Sequence, residues 1–322
     1  MKILVTGGAG FIGSAFVRHM VKKYPHYHII NFDKLTYAGN LDNLREVAHC
    51  PNYEFVRGDI ENLNFLAWFL KHVDVVVHFA AESHVDNSIG NSLLFTKTNV
   101  VGTHSLLEAA RVAKVKKFIH ISTDEVYGDI MEGCFKETDK LAPNNPYSAS
   151  KAAAEMLVKS YVKTYKFPAI IVRPNNNYGP FQFPEKIISR FSTRLIQNRK
   201  VPLHSPNPVR TYIHVLDTAR AIDIIMHKGV MHETYNIGTR DEFSNLEITQ
   251  KIIAFFGKDE SYIEKVDDRL FNDLRYSVDY SKIKALGWEQ EISFDEGLRQ
   301  TLAWYAHNTW WWENFPECQY NK

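Results

Sequence analysis

Tyr147 and Lys151 stand four residues apart with Pro146 just ahead of them, a spacing that puts both side chains on one face of a helix near its N-terminus. An ammonium and a positive helix end both favour phenolate, so Tyr147 is expected to titrate below the usual value of about 10 and to act as a general base. Tyr-x-x-x-Lys also recurs by chance and decides nothing alone. A second cluster adds to it: the apolar run Phe118-Ile119-His120-Ile121 leads into Ser122-Thr123-Asp124-Glu125-Val126-Tyr127-Gly128, a hydroxyl and two adjacent carboxylates at a strand end. Neighbouring carboxylates in a cleft repel each other, so one keeps its proton as an acid while the other acts as base. On a solvated loop the same pair would do nothing.

A third cluster binds rather than reacts. Gly7-Gly8-Ala9-Gly10-Phe11-Ile12-Gly13 satisfies G-x-G-x-x-G (Gly8, Gly10, Gly13) and G-x-x-G-x-x-G (Gly7, Gly10, Gly13), with an apolar strand before it, a helical pattern after it and Asp33 at the end of the next strand. Glycines let backbone N–H groups reach a pyrophosphate at a helix N-terminus, and an acid at Asp33 accepts the ribose hydroxyls. That carboxylate repels a 2′-phosphate, which favours NAD over NADP, and Lys34 only softens the preference.

These residues need a scaffold. Apolar, β-branched runs at Ile3–Thr6, His28–Phe32, Tyr53–Val56, Val75–His78, Phe118–Ile121 and Ala169–Val172 are continuous rather than alternating, so they read as parallel strands covered on both faces. Helical patterns at Phe11–Lys23, Ser88–Ala113 and Tyr147–Lys166 lie between them. The fold class is therefore α/β, a doubly wound parallel sheet whose ligands bind beyond the carboxyl ends of the strands. Beyond about residue 175 prolines cluster (Pro174, Pro180, Pro184, Pro202, Pro206, Pro208), and helices such as Ile187–Asn198 and Leu246–Phe256 are separated by irregular loops. The reading is a cofactor domain over 1–175, rejoined near 211–240, and a smaller substrate-binding lobe over 176–322.

Composition narrows the partners. In 322 residues, 38 Lys+Arg against 37 Asp+Glu give a net charge of +1, so no global field gathers nucleic acid or anionic lipid. No apolar run approaches the roughly 18 residues of a membrane span, and no signal-like start precedes the glycines, so neither export nor membrane insertion is expected. Three cysteines (Cys50, Cys134, Cys318) without C-x-x-C spacing fit a reducing cytoplasm. The 14 histidines form no His-Glu-x-x-His or His-x-His pair, and no metal is expected.

Together these segments resemble the extended short-chain dehydrogenase/reductase family, and within it the NAD-dependent nucleoside-diphosphate-glucose 4,6-dehydratases. The resemblance spans nearly the whole chain: Gly7–Ser14, Asp33–Asn40, Gly58-Asp59-Ile60, Ala80–Asp86, Thr98-Asn99-Val100, Ser122–Gly128, Tyr147–Lys151, Asn176–Pro180 and Phe183-Pro184-Glu185-Lys186. The Thr-Asp-Glu triplet separates dehydratases from related epimerases and decarboxylases. The late segment Arg269-Leu270-Phe271-Asn272-Asp273 departs from the Arg-Pro-Gly-His-Asp of bacterial dTDP-glucose enzymes and looks more like the Arg-Pro-Phe-Asn-Asp of the first domain of plant UDP-rhamnose synthases, as does Val85-Asp86-Asn87-Ser88. UDP-glucose is thus the favoured substrate, with dTDP-glucose close behind.

The resemblance implies a mechanism and a residue set. Tyr147, helped by Thr123, removes the 4-hydroxyl proton while hydride passes from C4 to NAD; Glu125 then takes the C5 hydrogen made acidic by the new ketone, Asp124 protonates the departing 6-hydroxyl, and hydride returns to C6. Lys151 binds the nicotinamide ribose and Asn99 orients it through water. The cofactor set also includes Gly7, Gly10, Phe11, Ile12, Gly13, Asp33, Lys34, Thr36, Asn40, Asp59, Ile60, Ala80, Ala81, Ser83 and Asn177. Ser83, His84, Asn87, Thr123, Asn176, Lys186, His204, Arg210, Asn245, Arg269 and Asn272 are assigned to the nucleotide sugar, the arginines because their planar fork pairs phosphate oxygens. An epimerase would share the glycines, Tyr147 and Lys151 without needing Asp124 and Glu125, and a cofactor-sensing protein would keep the fold without turnover. The apolar stripe Ala153, Met156, Leu157, Tyr161 beside Ala152-Ala153-Ala154 predicts a homodimer through a four-helix contact with Ser88–Ala113. The tail Trp310-Trp311-Trp312 is expected to pack on its own chain.

Overall fold

The structure, a computed structural model, describes residues 1–267, 272–316, 318 and 319. Six strands follow the expected runs: β1 (Lys2–Thr6), β2 (His28–Asp33), β3 (Tyr53–Arg57), β4 (Val75–His78), β5 (Lys117–Ile121) and β6 (Ala169–Pro174). After β7 (Asn176–Tyr178), β8 (Val201–Leu203) and β9 (Val209–His214), β10 (Thr234–Ile237) returns to the main sheet, whose order is β10-β6-β5-β4-β1-β2-β3 with every pairing parallel. Alternate residues face opposite helical layers. Ile3, Val5, Val75, Val77, Ile119, Ile121, Ile170 and Val172 pack with Phe16, Val17, Met20, Ile222 and Ile225 on one side, while Leu4, Val76, Phe118, Ala169 and Ile171 pack with Leu66, Leu106, Leu107 and Val158 on the other. Burial of both faces is why the strands read as unbroken apolar runs.

The chain leaves β1 toward β2 and β3, then crosses to β4 on the other side of β1, so the strand order reverses between β1 and β4. The carboxyl ends of these two strands abut so closely that a Cβ on Gly7 would stand 2.6 Å from the Ala80 nitrogen. A cleft at such a reversal is where open α/β sheets bind ligands. The small sheets β11 (Glu242–Ser244)-β9-β7 and β12 (Ile263–Lys265)-β8 roof it, backed by an apolar cluster of Ile188, Phe191, Leu195, Ile248, Ile252, Phe294 and Leu298 from the helices Ile187–Ile196, Asn245–Phe255 and Phe294–His307.

Two expectations are corrected. The single helix over 88–113 is instead Val85–Gly90, Ser92–Phe95, a π-helical stretch Thr96–Gly102 and Thr103–Ala113. Asn91 caps the second piece by accepting from Leu94 N, so the Gly90-Asn91 pair ends one helix and starts another. The expected stripe on Pro146–Tyr165 is divided: Tyr161 is buried in its own chain, its hydroxyl donating to Glu108 Oε2 at 2.8 Å, whereas Met156 remains 48% exposed. In the tail, Trp311 and Trp312 are buried and donate to Asn43 Oδ1 (2.8 Å) and Tyr305 O (2.9 Å); Trp310 stays exposed.

Candidate functional site

Between the sheet's carboxyl edge and the roof lies a cleft of about 460 Å³. One end is the glycine turn. Gly7 has φ +70°, in the left-handed region, and a Cβ on Gly13 would meet Gly7 O at 2.2 Å, so the loop closes only without side chains. Gly10 is the N-cap of Phe11–Lys23, supplies no capping side chain and leaves the first N–H groups of the helix directed at the cleft. Asp33 accepts from Ala9 N (2.9 Å) and Leu35 N (2.8 Å), so its carboxylate also holds the turn in shape. Burial raises its pKa against those two bonds. Lys34 pairs with Asp59 at 2.6 Å rather than standing free beside Asp33.

At the middle of the cleft the acid and base groups converge on the end of β5. Thr123 is extended and caps a short 3-10 turn, Asp124–Tyr127, its Oγ1 accepting from Glu125 N at 3.2 Å. Asp124, 2% exposed, accepts from Asn175 Nδ2 at 2.7 Å and from Thr123 Oγ1 at 3.2 Å. Burial, then the neighbouring Glu125 charge, pushes its carboxyl up to about 7. The Glu125 pKa is also raised, by burial, against Lys186 and Arg210. Its Oε2 accepts from Asn145 Nδ2 at 3.3 Å and lies 3.5 Å from the Tyr276 hydroxyl, which donates to Asp273.

Asn145 caps the helix Pro146–Tyr165 in a reciprocal box with Ser148, and this sets the first turn so that Tyr147 and Lys151 face the cleft. Lys151 Nζ donates to Ile121 O at 2.7 Å, and burial lowers its pKa to about 8. The expected depression of the Tyr147 pKa is not found. Burial, then the Glu125 charge, pushes it well up, against a hydrogen bond with Thr123. The desolvation of a phenolate outweighs a lysine whose ammonium is bonded elsewhere.

Of the residues singled out from sequence, Gly7, Gly10, Phe11, Ile12, Gly13, Asp33, Lys34, Thr36, Asp59, Ile60, Ala80, Ala81, Ser83, His84, Thr123, Glu125, Tyr147, Lys151, Asn176, Asn177, Lys186, His204, Arg210, Asn245 and Asn272 line this one cleft. Asp124, Asn40, Asn87 and Asn99 do not; Asp124 is buried beside the cleft, against Asn175 and Thr123. Asn40 caps the turn Leu41–Leu44, and Asn99, buried within the π-helical stretch, bonds Glu82 N (2.8 Å), Glu82 O (3.0 Å) and Ser150 Oγ (2.8 Å). Arg269 lies outside the described residues. At the far end Arg210 donates to Asn272 Oδ1 (2.9 Å) and Asp273 O (2.7 Å) and stacks on Tyr276, and Lys186 Nζ donates to Ser83 O at 3.0 Å, tying roof to sheet. Asn145, Asn175, Asp273 and Tyr276 escaped the sequence reading. Asn145 alone carried a local signal, an Asn before Pro at a helix start.

Four buried polar atoms on the cleft wall, Ser122 Oγ, His84 Nδ1, Asn175 Oδ1 and Asn177 Oδ1, have no partner in the protein. Such groups are normally satisfied, so the wall is built for a polar ligand. With the side-chain-free glycine turn and the open helix N-terminus it fits a dinucleotide. Among the described residues no group of His, Cys, Asp and Glu side chains is arranged to hold a metal, and no helix is long and apolar enough to cross a membrane.

The chain is 45% identical over 318 residues to a trifunctional UDP-glucose 4,6-dehydratase/UDP-4-keto-6-deoxy-D-glucose 3,5-epimerase/UDP-4-keto-L-rhamnose-reductase of Arabidopsis thaliana, covering 96% of this chain and 48% of the plant protein, so it spans about half the length of that relative. It is 42% identical over 322 residues to the dTDP-D-glucose 4,6-dehydratase of Bos taurus, covering 97% and 91% of the two chains. The crystal structure of a dTDP-glucose 4,6-dehydratase from Streptomyces venezuelae with NAD bound superposes with a TM-score of 0.96 at 45% identity, covering 98% of this chain and 100% of that one. The model of the GDP-mannose 4,6 dehydratase family matches residues 4–301, and with an all-parallel seven-stranded sheet, a glycine turn at its switch point and a Tyr-x-x-x-Lys helix over its carboxyl edge, the chain belongs to that family, among the extended short-chain dehydrogenases/reductases.

Proposed function

We propose that this protein is an NAD-dependent nucleoside-diphosphate-glucose 4,6-dehydratase acting on UDP-glucose, with dTDP-glucose as the alternative substrate. The observation that carries the reading is the Thr123-Asp124-Glu125 turn: Glu125 lines one cleft with Thr123, Tyr147 and Lys151, Asp124 is buried beside it against Thr123 and Asn175, and both carboxyl groups have raised pKa values. An epimerase has no use for such a pair.

The chemistry NAD supplies when bound is reversible hydride storage, taken at the sugar C4 and given back at C6, and its oxidised form adds a positive charge that favours a Tyr147 phenolate. Gly10, Phe11, Ile12 and Gly13 would hold its pyrophosphate, Asp33 a ribose, and Lys151 the other ribose. Tyr147 takes the 4-hydroxyl proton, with Thr123 donating into the same hydrogen-bond chain. The resulting ketone makes the C5 hydrogen acidic; Glu125 removes it, and gives a proton back to C5 when hydride is returned at C6. Asp124, whose pKa of about 7 keeps a large fraction protonated near neutrality, gives its proton to the departing 6-hydroxyl. Arg210, Lys186 and Asn245 hold the diphosphate end, and Arg210 is set for it by the Tyr276 ring beneath its plane.

Incubation with UDP-glucose and dTDP-glucose separately, followed by mass spectrometry, tests the reading. Loss of one water with a higher kcat/KM for UDP-glucose is expected. A product that keeps its 6-hydroxyl would make the chain an epimerase, and a preference for dTDP-glucose would reverse the nucleotide assignment. For the cofactor, Asp33→Ala should weaken NAD by roughly 10–100-fold, the worth of lost hydrogen bonds to a charged group, and NADP far less. Equal weakening of both, measured by fluorescence titration with the reduced forms, would remove Asp33 from the ribose site.

The dimer proposal rests on exposed apolar side chains of the same two helical segments: Leu93 is 79% exposed, Val101 50% and Met156 48%. Paired about a two-fold axis with a second copy, these faces cover each other. Sedimentation at micromolar concentration is expected to give twice the mass of 37.2 kDa, and Met156→Glu to reduce it to one chain. A wild-type protein that sediments as a single chain would mean that the face is left to solvent.

A further inference from the structure

Behind the catalytic face, and used by no step above, lies a fully buried ion pair. Arg173 on β6 and Glu155 on the helix Pro146–Tyr165 are both 0% exposed and bond in bidentate fashion, Nε to Oε1 at 2.8 Å and Nη2 to Oε2 at 2.6 Å. Arg173 Nη1 reaches the Tyr127 hydroxyl at 2.5 Å, the Arg173 plane stacks over that ring at 4.6 Å, and the Tyr127 hydroxyl donates to Asn236 Oδ1 on β10 at 2.8 Å. Tyr127 ends the 3-10 turn that begins with Asp124, and Glu155 stands one helical turn beyond Lys151 on the same face. One pair thus joins the turn carrying the acid and base to the helix carrying Tyr147 and Lys151. Buried pairs of this kind add little net stability over apolar replacements, so their location calls for another explanation.

That explanation lies in the charge balance around Lys151. Its buried ammonium donates to a neutral carbonyl, Ile121 O. Its charge is felt by His78 on β4 and His120 on β5, both kept neutral by burial, while Asp124 and Glu125, across Thr123, act on Tyr147 of the same helix. Glu155 is the carboxylate on the Lys151 face of the helix, and it is matched by Arg173 and, at 3.5 Å, by Lys159 from the helix surface. We propose that Arg173 and Glu155 are positioning residues that register the acid/base turn on the Tyr147 helix and set the proton affinity of Lys151. Arg173 neutralises most of the Glu155 charge, leaving Lys151 less stabilised as a cation than a bare carboxylate one turn away would make it. The pKa of Lys151, lowered by burial and partly restored by Glu155, accords with this. The proposal rests on the reading of Lys151 as the ammonium that serves Tyr147.

The test reads Lys151 directly: trace acetylation of the purified chain with isotopic acetic anhydride between about pH 6 and pH 10, with mass spectrometry of the Lys151 peptide, gives its titration midpoint without requiring turnover. Arg173→Gln leaves Glu155 unneutralised and is expected to raise that midpoint by about one pH unit, Glu155→Gln leaves Arg173 unneutralised and should lower it by a similar amount, and the double variant should return close to wild type. If the pair were only structural, both single variants would loosen the site and move Lys151 the same way, toward an exposed lysine, and that result, or no shift in either, overturns the proposal. Should a single variant fail to fold, Lys159→Met on the half-exposed face decides: a raised Lys151 midpoint supports the charge balance and an unmoved one sinks it. In the active enzyme the same variants should shift the pH profile of kcat with little change in KM. Opposite shifts at Lys151 in a chain that dehydrates neither nucleotide sugar would keep the electrostatic assignment and discard the dehydratase reading.

Discussion

Glu125→Gln is expected to leave the fold and NAD binding intact while slowing exchange of the substrate C5 hydrogen with solvent, and with it dehydration, by about 10²–10⁴-fold, the usual worth of a positioned general base. The substitution is mild in place. Glu125 Oε2 faces the Asn145 amide at 3.3 Å and the Tyr276 hydroxyl at 3.5 Å, and a glutamine with its carbonyl there keeps both neighbours. What disappears is the proton-accepting carboxylate, whose raised pKa makes it a stronger base than a solvated one. Oxidation at C4 does not involve Glu125, so a 4-keto sugar that still carries its 6-hydroxyl should accumulate. Deuterium incorporation at C5 measured by mass spectrometry decides the matter, and wild-type exchange in the variant would strip Glu125 of the role.

Asp124→Asn has a comparable cost to turnover and a distinctive pH signature. With its pKa near 7, the wild-type carboxyl is protonated below that pH and loses its acid function above it, so dehydration should fall off on the alkaline side of about pH 7. The asparagine variant, slowed by about 10²–10⁴-fold, should lose that limb. Stability moves the opposite way. A carboxyl whose native pKa is raised from 3.8 to about 7 binds protons more tightly folded than unfolded, so its contribution to stability is fully present below about pH 4 and is lost as pH rises through 7. Replacing it with a neutral amide that still accepts from Asn175 should raise Tm at pH 8 relative to wild type and leave a smaller difference at pH 4. A variant that melts lower than wild type at pH 8 would show that Asp124 is not held against its burial, and that its acid role lacks this electrostatic basis.

Both predictions depend on residues of very different visibility. Six strands of the main sheet could be read from the chain because burial on both faces makes the inner ones largely apolar, and the edge strand Tyr53–Arg57, only partly covered, still carries Tyr, Phe and Val. The seventh, Thr234–Ile237, could not. Its Asn236 is buried and donates to Phe135 O and Asp279 O while accepting from Tyr127, so a polar residue sits in the middle of a core strand because partners from three other segments satisfy it. The glycine turn, Asp33, the Thr-Asp-Glu turn and Tyr147 with Lys151 were legible for a related reason: each is a local motif whose spacing along one turn or one helix face already fixes its geometry.

Electrostatics and long-range contacts were not legible. Sequence spacing led to the expectation of a tyrosine eased toward phenolate by its lysine; the fold instead buries Tyr147 and points the lysine at Ile121 O, and desolvation wins. Tyr276 reaches Glu125 across 151 residues of chain, Arg173 reaches Tyr127 across 46, and Asn175 meets Asp124 across 51, contacts that exist only once strands distant in sequence lie side by side. The amino-acid sequence by itself determined which side chains are the candidates for the chemistry and on which elements they ride, because residue type and local period carry that information. Only the tertiary structure decided their proton affinities and their supporting partners, because burial and charge proximity are properties of the packed chain and of no segment alone.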